Sequence, residues 1–573
     1  MTGTAAIIIV AGLFVIFRII GNKKQAEDIS NIEKSIAVLP FVNDSPDKEN
    51  EYFCNGMMDE ILNNLQKIKD FRVLSRTSVE QYRGISKPAI PKIAKELDVN
   101  YIVEGSVQKY GNTFRLRVQL IAANDEKHLW GESYEKEIKE TKDIFKIQSQ
   151  VAQTIAAELK ATITPEEKQL IEKSSTGNLT AFDFYQRGND RLNLFNSKRD
   201  SPTLKVAEEM FRKALEYDST FARAYCGLAY VFLKKHFYDS YFSENYLDSC
   251  LILADKALSF DDRLAEGYFI RGTYYVLNGR TEDGIAEVNK SLKYNPNNWE
   301  SYYGLAHSAY LWNNYYADWI KAIDYLQKAV NLNHGKELPD ILSLLGVANG
   351  YFAGFPNKAI QYFKEELTLT GDSIKYFNSL AQLEIQYGNT EKAFKIAKDN
   401  YLRDSTNLNT ISSLGNFYIR DGQYAESLNY YKKYAEGLTA KGEFQTGSML
   451  PIGYAYLQNG YKKEAEYWFN EQKKLSEEAI IKGRLYSSWG YAYFDLASLY
   501  AIKGDKERAF ENLRLFAKAK VCSKPSIDNL KESPFFDSIR NDPEFKKIIV
   551  DLEAKYLAEH ERVRKWLEEQ GKL

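Results

Sequence analysis

The sequence predicts a small mixed-sheet α/β domain followed by an all-α superhelical array, with a transmembrane helix at the amino terminus. Three observations lead to this prediction. An uninterrupted apolar run opens the chain, short apolar strands alternate with amphipathic helices up to about residue 161, and helix pairs recur from residue 178 onward. The length of 573 residues suits several domains, or fewer domains and a repeat array.

The composition excludes several classes of protein. Hydrophobic residues make up 44% and charged residues 27%, as in ordinary globular chains. Lys and Arg number 76 against 78 Asp and Glu, so the net charge of −2 gives no basic surface for nucleic acid. The four cysteines (Cys54, Cys226, Cys250 and Cys522) are too scattered for a disulfide framework or a metal knuckle. We therefore expect no nucleic-acid partner, no metal and no cofactor.

Residues 1–21 are predicted to form a membrane anchor. The run from Ala5 to Phe17 continues through Ile19 and Ile20 past Arg18, so residues 5–20 approach the length of about 17 residues that a spanning helix needs. No basic residue precedes the run and no small-x-small cleavage site follows it, which favours a retained anchor over a cleaved signal. A polar linker, residues 22–33, comes next.

Residues 34–163 are predicted to form the α/β domain. The strand at residues 35–41 is nearly continuously apolar, which is typical of a strand buried on both faces. Alternating apolar and polar residues at 101–107 and 114–120 predict a hairpin with one solvated face. The remaining predicted elements are helices at 50–67, 90–97 and 144–159 and strands at 71–74 and 127–134.

Several blocks of this domain resemble a known family. They include Ile36–Phe41, Ser75–Ser78, Tyr101–Val107 and Gln119–Ile121. Together they are similar to the TolB amino-terminal-like domain of bacterial membrane-anchored multidomain regulators. In that family the module commonly lies between a membrane anchor and a tetratricopeptide array, often behind an output domain. The resemblance implies no catalytic residues.

The array is predicted over residues 178–520, after a connecting helix at 164–177 that opens with the capping box Thr164-Pro165-Glu166-Glu167. Small, aromatic and glycine residues recur with a period near 34, the pattern of tetratricopeptide (TPR) repeats, and about nine repeats fit. In the clearest unit, Gly272 and Gly284 let two helices approach closely and Gly279 turns the chain between them. Residues 521–573 are predicted to be capping helices.

No catalytic motif stands out. The chain lacks the standard phosphate-loop, zinc-protease and nucleophile-elbow patterns, and its five histidines are never three or four residues apart. The short hydrolase-like motif Gly371-Asp372-Ser373 falls at a turn between repeats, where a helix cap is the expected role. The sequence therefore predicts a non-enzymatic protein.

Recognition is predicted in the groove of the array. First-helix positions of a TPR unit face the groove, and here they form a neutral, amide-rich and aromatic surface suited to an extended peptide. The predicted partner-binding residues are Tyr303, His307, Tyr310, Asn378, Gln382, Asn409, Ser412, Asn416, Tyr454 and Ser498.

Two functions follow from these features. The first is a membrane-anchored scaffold that binds protein or peptide partners in the groove, with the TolB-like domain as a second docking or sensing module. The alternative is the regulatory half of a signalling or transcription-regulator system whose output domain is missing or separate. The predicted localisation is the inner membrane with a periplasmic soluble part, while Lys23 and Lys24 after the anchor favour the cytoplasm.

Overall fold

Strands and helices alternate in the first part of the chain, and helices alone follow in its later described part. The computed structural model describes residues 32–84, 87–198, 201–238, 244–441 and 449–573. Two units can be distinguished. The first contains the described residues up to Ile270 with Asn289–Asn298 and Asn331–Lys336, and the second contains Arg271–Val288, Trp299–Val330 and the described residues from Glu337 to Leu573.

The described residues of the first unit contain a mixed sheet of six strands. The strands are β1 (Ser35–Val38), β2 (Val42–Asn43), β3 (Arg72–Val73), β4 (Tyr101–Tyr110), β5 (Thr113–Ala122) and β6 (Lys127–Glu137). They lie in the order β3-β1-β4-β5-β6, and β2 also pairs with β4. Strands β1, β2, β3 and β4 pair in parallel, whereas β4, β5 and β6 are antiparallel. The predicted small mixed sheet is thus confirmed.

The sequence explains where these strands begin and end. All four residues of β1 are buried, as its nearly continuous apolar character predicts. The predicted strand at 35–41 is interrupted because Pro40 has no N–H to donate to a ladder, and β2 resumes two residues later. In β5 the buried residues alternate with more exposed ones along most of the strand, so one face of the hairpin packs on the core.

Helices cover the sheet and then form antiparallel pairs. The helices of the first part are α1 (Glu51–Gln66), α2 (Arg76–Val79), α3 (Ile90–Leu97), α4 (Thr141–Glu158), α5 (Pro165–Glu172), α6 (Leu179–Lys198), α7 (Ser201–Tyr217), α8 (Ala222–Tyr238), α9 (Glu244–Phe260), α10 (Ala265–Leu277) and α11 (Thr281–Tyr294). Thr164 caps α5 as predicted, because its side chain accepts from the Glu167 N–H while the Glu167 carboxylate accepts from the Thr164 N–H.

Two short later segments, Asn289–Asn298 and Asn331–Lys336, belong to the first unit and form polar contacts with the edge of its sheet. The Asn297 Oδ1 accepts the Val73 N–H of the edge strand β3 at 2.9 Å, and its amide donates to the Gln66 carbonyl at 3.0 Å. The Ser75 N–H donates to the Leu332 carbonyl at 2.8 Å. These bonds satisfy backbone groups at an edge that would otherwise be open to another strand.

The later helices continue the pairing. They are α12 (Trp299–Gly304), α13 (Trp319–Leu332), α14 (Leu338–Val347), α15 (Pro356–Thr370), α16 (Ser373–Gln386), α17 (Thr390–Arg403), α18 (Leu408–Arg420), α19 (Tyr424–Lys441), α20 (Met449–Gln458), α21 (Lys462–Ile481), α22 (Leu485–Ser488), α23 (Tyr491–Ile502), α24 (Lys506–Phe516), α25 (Lys524–Glu532) and α26 (Pro543–Glu569). Two π-helical turns, Leu305–Leu311 and Ala348–Phe352, extend α12 and α14.

The helix pairs resemble a tetratricopeptide solenoid, because one contact recurs in them. A glycine in the first helix faces a bulky side chain about sixteen residues later in the second. A Cβ added at Gly415 would lie 2.7 Å from the Tyr431 ring, and one at Gly453 would lie 2.7 Å from Phe469. The glycines at the turns, such as Gly422 with φ +72, have the left-handed conformation that favours glycine. The predicted helical repeats are confirmed.

The predicted localisation as a single-pass inner-membrane protein is wrong by this structure. In the described residues, none of the helices combines the length and the apolar character needed to cross a membrane. The predicted anchor, residues 5–20, lies outside the described residues. The prediction depended on one short apolar run, whereas the described helices combine apolar residues with polar ones.

Candidate ligand-binding cavity

A cavity of about 310 Å³ lies among the helices of the second unit. First helices of repeats supply most of its wall, and a segment of the carboxyl-terminal region, Pro525–Phe535, supplies the rest. We call this segment the C-terminal segment. The lining residues are Gln382, Ile385, Gln386, Ser413, Asn416, Phe417, Ile419, Arg420, Leu450, Pro451, Phe494, Asp495, Ser498, Pro525, Asp528, Asn529, Ser533, Pro534 and Phe535.

The C-terminal segment and the residues directly after it are held against the repeats by aromatic and polar contacts. The Phe535 ring meets the Tyr454 ring edge-on with centroids 4.9 Å apart, and Phe536 packs on Phe494 at 5.7 Å. The Ser538 hydroxyl donates to the Ala501 carbonyl at 2.7 Å. A stretch of polypeptide therefore already occupies part of the surface that the repeats present.

Neutral amides and hydroxyls make up much of the polar wall. The Asn416 Oδ1 accepts the Tyr431 hydroxyl at 2.8 Å, and the Gln382 amide reaches the Ser413 hydroxyl at 3.4 Å. Arg420 and Asp528 also line the cavity, but each is paired with a charge of opposite sign. Arg420 lies 3.2 Å from Glu532, and Asp528 lies 2.8 Å from Lys524.

Asp495 differs from the other charged residues of the wall. It is 7% exposed, and among the described residues no Lys, Arg or His forms an ion pair with it. Its Oδ2 accepts from the Tyr486 hydroxyl and from the Gln472 amide at 2.9 Å. Burial raises the pKa of Asp495 to about 7, and the bond from Tyr486 offsets only part of that rise.

Gln386 is the second unusual member of the wall. It lies at the end of α16, is 7% exposed, and its side-chain oxygen has no hydrogen-bond partner in the described part of the chain. A buried polar atom without a partner costs about 1–3 kcal/mol. The wall thus combines a buried carboxyl group that lacks a cation with a buried carbonyl that lacks a donor.

Three of the ten predicted partner-binding residues line this cavity. They are Gln382 on α16, Asn416 on α18 and Ser498 on α23. Tyr454 is buried beneath Phe535, so the C-terminal segment covers it. Asn409 is exposed on α18, and its carbonyl accepts the Ser412 hydroxyl at 3.2 Å, outside the cavity wall. The role of all ten in partner binding remains a prediction.

Asn378 instead holds neighbouring helices together. Its Oδ1 accepts from the Asn400 amide at 2.9 Å and from the Thr410 hydroxyl at 3.0 Å, and its amide reaches Asn407 at 3.3 Å. These bonds link α16, α17 and the start of α18. The geometry therefore places Asn378 in a polar network between helices and not in the cavity wall.

The other three predicted residues belong to an aromatic cluster at the first π-helical turn. The His307 ring stacks on Tyr303 with centroids 5.9 Å apart and meets Trp489 edge-on at 5.9 Å. Tyr310 is buried and packs against Tyr325. Burial lowers the pKa of His307 to about 4, so the ring is neutral at physiological pH. These rings fill space between helices.

Asp495 and Gln386 were missed by the sequence reasoning. One signal for Asp495 was available: it is the single charged residue in α23, whose other residues are apolar, aromatic or small. Nothing in the sequence distinguishes Gln386, because a glutamine at the end of a helix is common. The described residues contain no group of three or more His, Cys, Asp or Glu side chains that could hold a metal ion.

A family model and a curated relative each match part of the chain. Residues 32–154 match the model of the second domain of HilA/YgeH-like transcriptional regulators. "Putative adenylate cyclase 3" of Rhizobium meliloti (strain 1021) is 32% identical over 237 residues, which cover 41% of this chain and 39% of that protein. The chain thus spans about two fifths of the length of the curated relative it matches.

Solved structures resemble the fold only loosely. A tetratricopeptide repeat protein from Parabacteroides merdae ATCC 43184 covers 54% of this chain and 98% of its own, at 17% identity and a TM-score of 0.29. TolB from Acinetobacter baumannii covers 22% of this chain and 29% of its own, at 19% identity and a TM-score of 0.17. The likeness to TolB is weak.

Proposed function

We propose that this protein is a scaffold that binds an extended peptide segment of a protein partner in the cavity of the second unit. One observation carries the proposal: the repeats already hold a stretch of polypeptide, the C-terminal segment, and leave a cavity of about 310 Å³ beside it. Amide and hydroxyl side chains at the wall suit the N–H and C=O groups of a peptide backbone. In this proposal the chain acts by binding and not by catalysis.

The sheet domain is proposed to be a second docking or sensing module. Its match to the second domain of transcriptional regulators supports a role beside an effector domain. The same match, with the relationship to "Putative adenylate cyclase 3", favours the alternative that the chain is the regulatory half of a signalling system. The two functions differ in whether a peptide bound at the cavity changes the behaviour of residues 32–154.

A peptide library tests the scaffold. Random twelve-residue peptides displayed on phage would be selected on the purified full chain, and the affinity of enriched peptides measured by fluorescence polarisation. We expect Gln382→Trp, which fills the cavity, to weaken binding about tenfold. The control is Leu402→Trp on α17, whose side chain is 83% exposed and lies outside the wall, and we expect this variant to bind as the unaltered protein does. No enrichment, or equal loss with both variants, would contradict the proposal.

Hydrogen exchange separates the two functions. The exchange of backbone amides would be measured with and without the enriched peptide. A scaffold predicts protection confined to the helices around the cavity. The regulatory alternative predicts that exchange also changes in residues 32–154.

A further inference from the structure

We propose that the cavity recognises a primary ammonium group on its peptide partner, supplied by a lysine side chain or by a free amino terminus. This inference rests on the proposed function and names the chemistry by which the same cavity selects a partner. It depends on two residues of the wall, Asp495 and Gln386, and on the pairing of the other charges there.

Buried carboxylates are ordinarily paired with a cation, because an ionised group loses its hydration on burial. Asp495 faces a cavity and has only neutral partners, Tyr486 and Gln472, among the described residues. A cation brought by a ligand would supply the missing charge. Inside a protein such an attraction is stronger than in water, because the effective dielectric constant is lower.

An ammonium group has three donors and no acceptor. The wall offers the Asp495 carboxylate and the unpartnered side-chain oxygen of Gln386, both of which accept. A carboxylate ligand would repel Asp495, and a neutral apolar ligand would leave the Gln386 oxygen without a donor and the Asp495 carboxylate without a cation. The acceptors therefore favour a ligand that donates.

The other charged side chains described for the wall are already paired. Arg420 pairs with Glu532, and Asp528 is bound by Lys524 through both of its oxygens, at 2.9 and 2.8 Å. Of the elements packed on α23, α21 supplies Gln472 and α22 supplies Tyr486, and no ion pair to Asp495 comes from the described residues of α24 or of the turn at 534–536. Asp495 is thus the group whose charge remains open to a ligand.

Binding should then depend on pH. Because the pKa of Asp495 is raised to about 7, the carboxyl group is protonated in acid and has little attraction for a cation. Above pH 7 it is ionised, and an ammonium ion gains the full interaction. A lysine side chain stays charged to about pH 10, whereas an amino terminus loses its proton near pH 8, so the two sources differ in their alkaline limbs.

The test uses small probes and the purified full chain. Saturation-transfer NMR would compare Nα-acetyl-lysine N-methylamide, which has only the side-chain amine, with alaninamide, which has only the α-amine. The matched control is Nα-acetyl-norleucine N-methylamide, which has the apolar stem without the amine. We expect signal from one or both amines at pH 8, affinity about tenfold lower at pH 6, and no signal from the control.

Variants assign the effect to the cavity. Asp495→Asn keeps the shape and an acceptor for Tyr486 but removes the charge, and we expect about tenfold weaker amine binding and a flat pH profile. Gln386→Leu should weaken binding severalfold without flattening that profile. Asp551→Asn, which neutralises an exposed carboxylate of α26 outside the wall, is the matched control and should change affinity less than about twofold. Circular dichroism would verify folding of each variant.

Two results would overturn the inference. One is equal binding of the norleucine control, and the other is amine binding that Asp495→Asn leaves unchanged. If the amines fail while library peptides still bind and are lost with Gln382→Trp, the ammonium inference is wrong and the scaffold stands. If the library peptides fail as well, both proposals are wrong.

Discussion

Glu60 in the first unit and Asp495 in the second are both more than nine-tenths buried, yet their surroundings differ. Glu60 forms an ion pair with Arg223, which also lies 3.7 Å from Glu266 and has its cationic group 5.3 Å from the centre of the Tyr185 ring. Asp495 has a tyrosine hydroxyl and an amide as partners and faces a cavity.

The difference distinguishes a charge that stabilises the fold from a charge that is available to bind a ligand. Burial by itself lowers the pKa of Arg223, but Glu60 and neighbouring groups more than reverse this and hold that pKa well above its usual value. The pair is therefore charged in the folded state and fixes α8 against α1. Asp495 lacks such a partner among the described residues, and burial raises its pKa. Removing one partner should destabilise the first unit, whereas neutralising Asp495 should stabilise the second.

The largest expected effect on stability comes from breaking the ion pair between Arg223 and Glu60. Arg223→Met keeps the aliphatic bulk but leaves Glu60 buried without its cation, which typically costs about 3–5 kcal/mol. Denaturant unfolding followed by hydrogen exchange would locate the loss in the first unit. The control is Arg212→Met, which breaks the exposed pair with Glu208 and should cost at most about 1 kcal/mol. Equal losses in the two variants would contradict the structural role of the buried pair.

Neutralising Asp495 is expected to raise the free energy of unfolding, the opposite of the effect at Arg223. An unfolded carboxyl group titrates near 3.8 and this one near 7, so the unfolded state binds fewer protons between these values and stability falls as pH rises through that range. The difference corresponds to about 4 kcal/mol above pH 7.

Asp495→Asn should therefore be more stable than the unaltered chain at pH 8, by up to that amount, and similar to it at pH 4. Urea unfolding at the two pH values measures this. If the variant were less stable than the unaltered chain at pH 8, the Asp495 charge would be stabilised by its surroundings, contrary to this prediction.

The smallest effect tests whether the helices around the cavity are closely packed. A Cβ at Gly415 would lie 2.7 Å from the buried Tyr431 ring, whose hydroxyl is held by Asn416, so Gly415→Ala should cost about 1–3 kcal/mol. At Gly304, in a helical conformation, an added Cβ meets nothing within 4 Å. Gly304→Ala should therefore stabilise the chain by about 0.5–1 kcal/mol. If both substitutions were neutral by thermal unfolding, the cavity would reflect loose packing and not a built site.

Much of the local structure could be predicted from the sequence because it depends on neighbours along the chain. The capping box at Thr164 and the left-handed turn at Gly422 follow from residue types a few positions apart. The spacing from Gly415 to Tyr431 likewise follows from the repeat period. The membrane placement was wrong because it extrapolated from one apolar run to the whole protein.

Only part of the candidate site could be predicted from the sequence. Repeat positions brought Gln382, Asn416 and Ser498 to the wall, because the period fixes which face of each first helix they occupy. Asn378 and His307 occupy equivalent positions but are used by interhelix contacts, which the period does not reveal.

The sequence by itself determined the mixed sheet, the helix pairs and the small residues at their contacts, since these depend on periodicity and local backbone preference. The tertiary structure alone decided that the C-terminal segment packs on the repeats, that Arg223 meets Glu60 across 163 residues of chain, and that Asp495 meets no cation within the described part of the chain. The physical reason is that the state of a buried charge depends on groups brought together by folding, and their distance along the chain carries no information about that encounter.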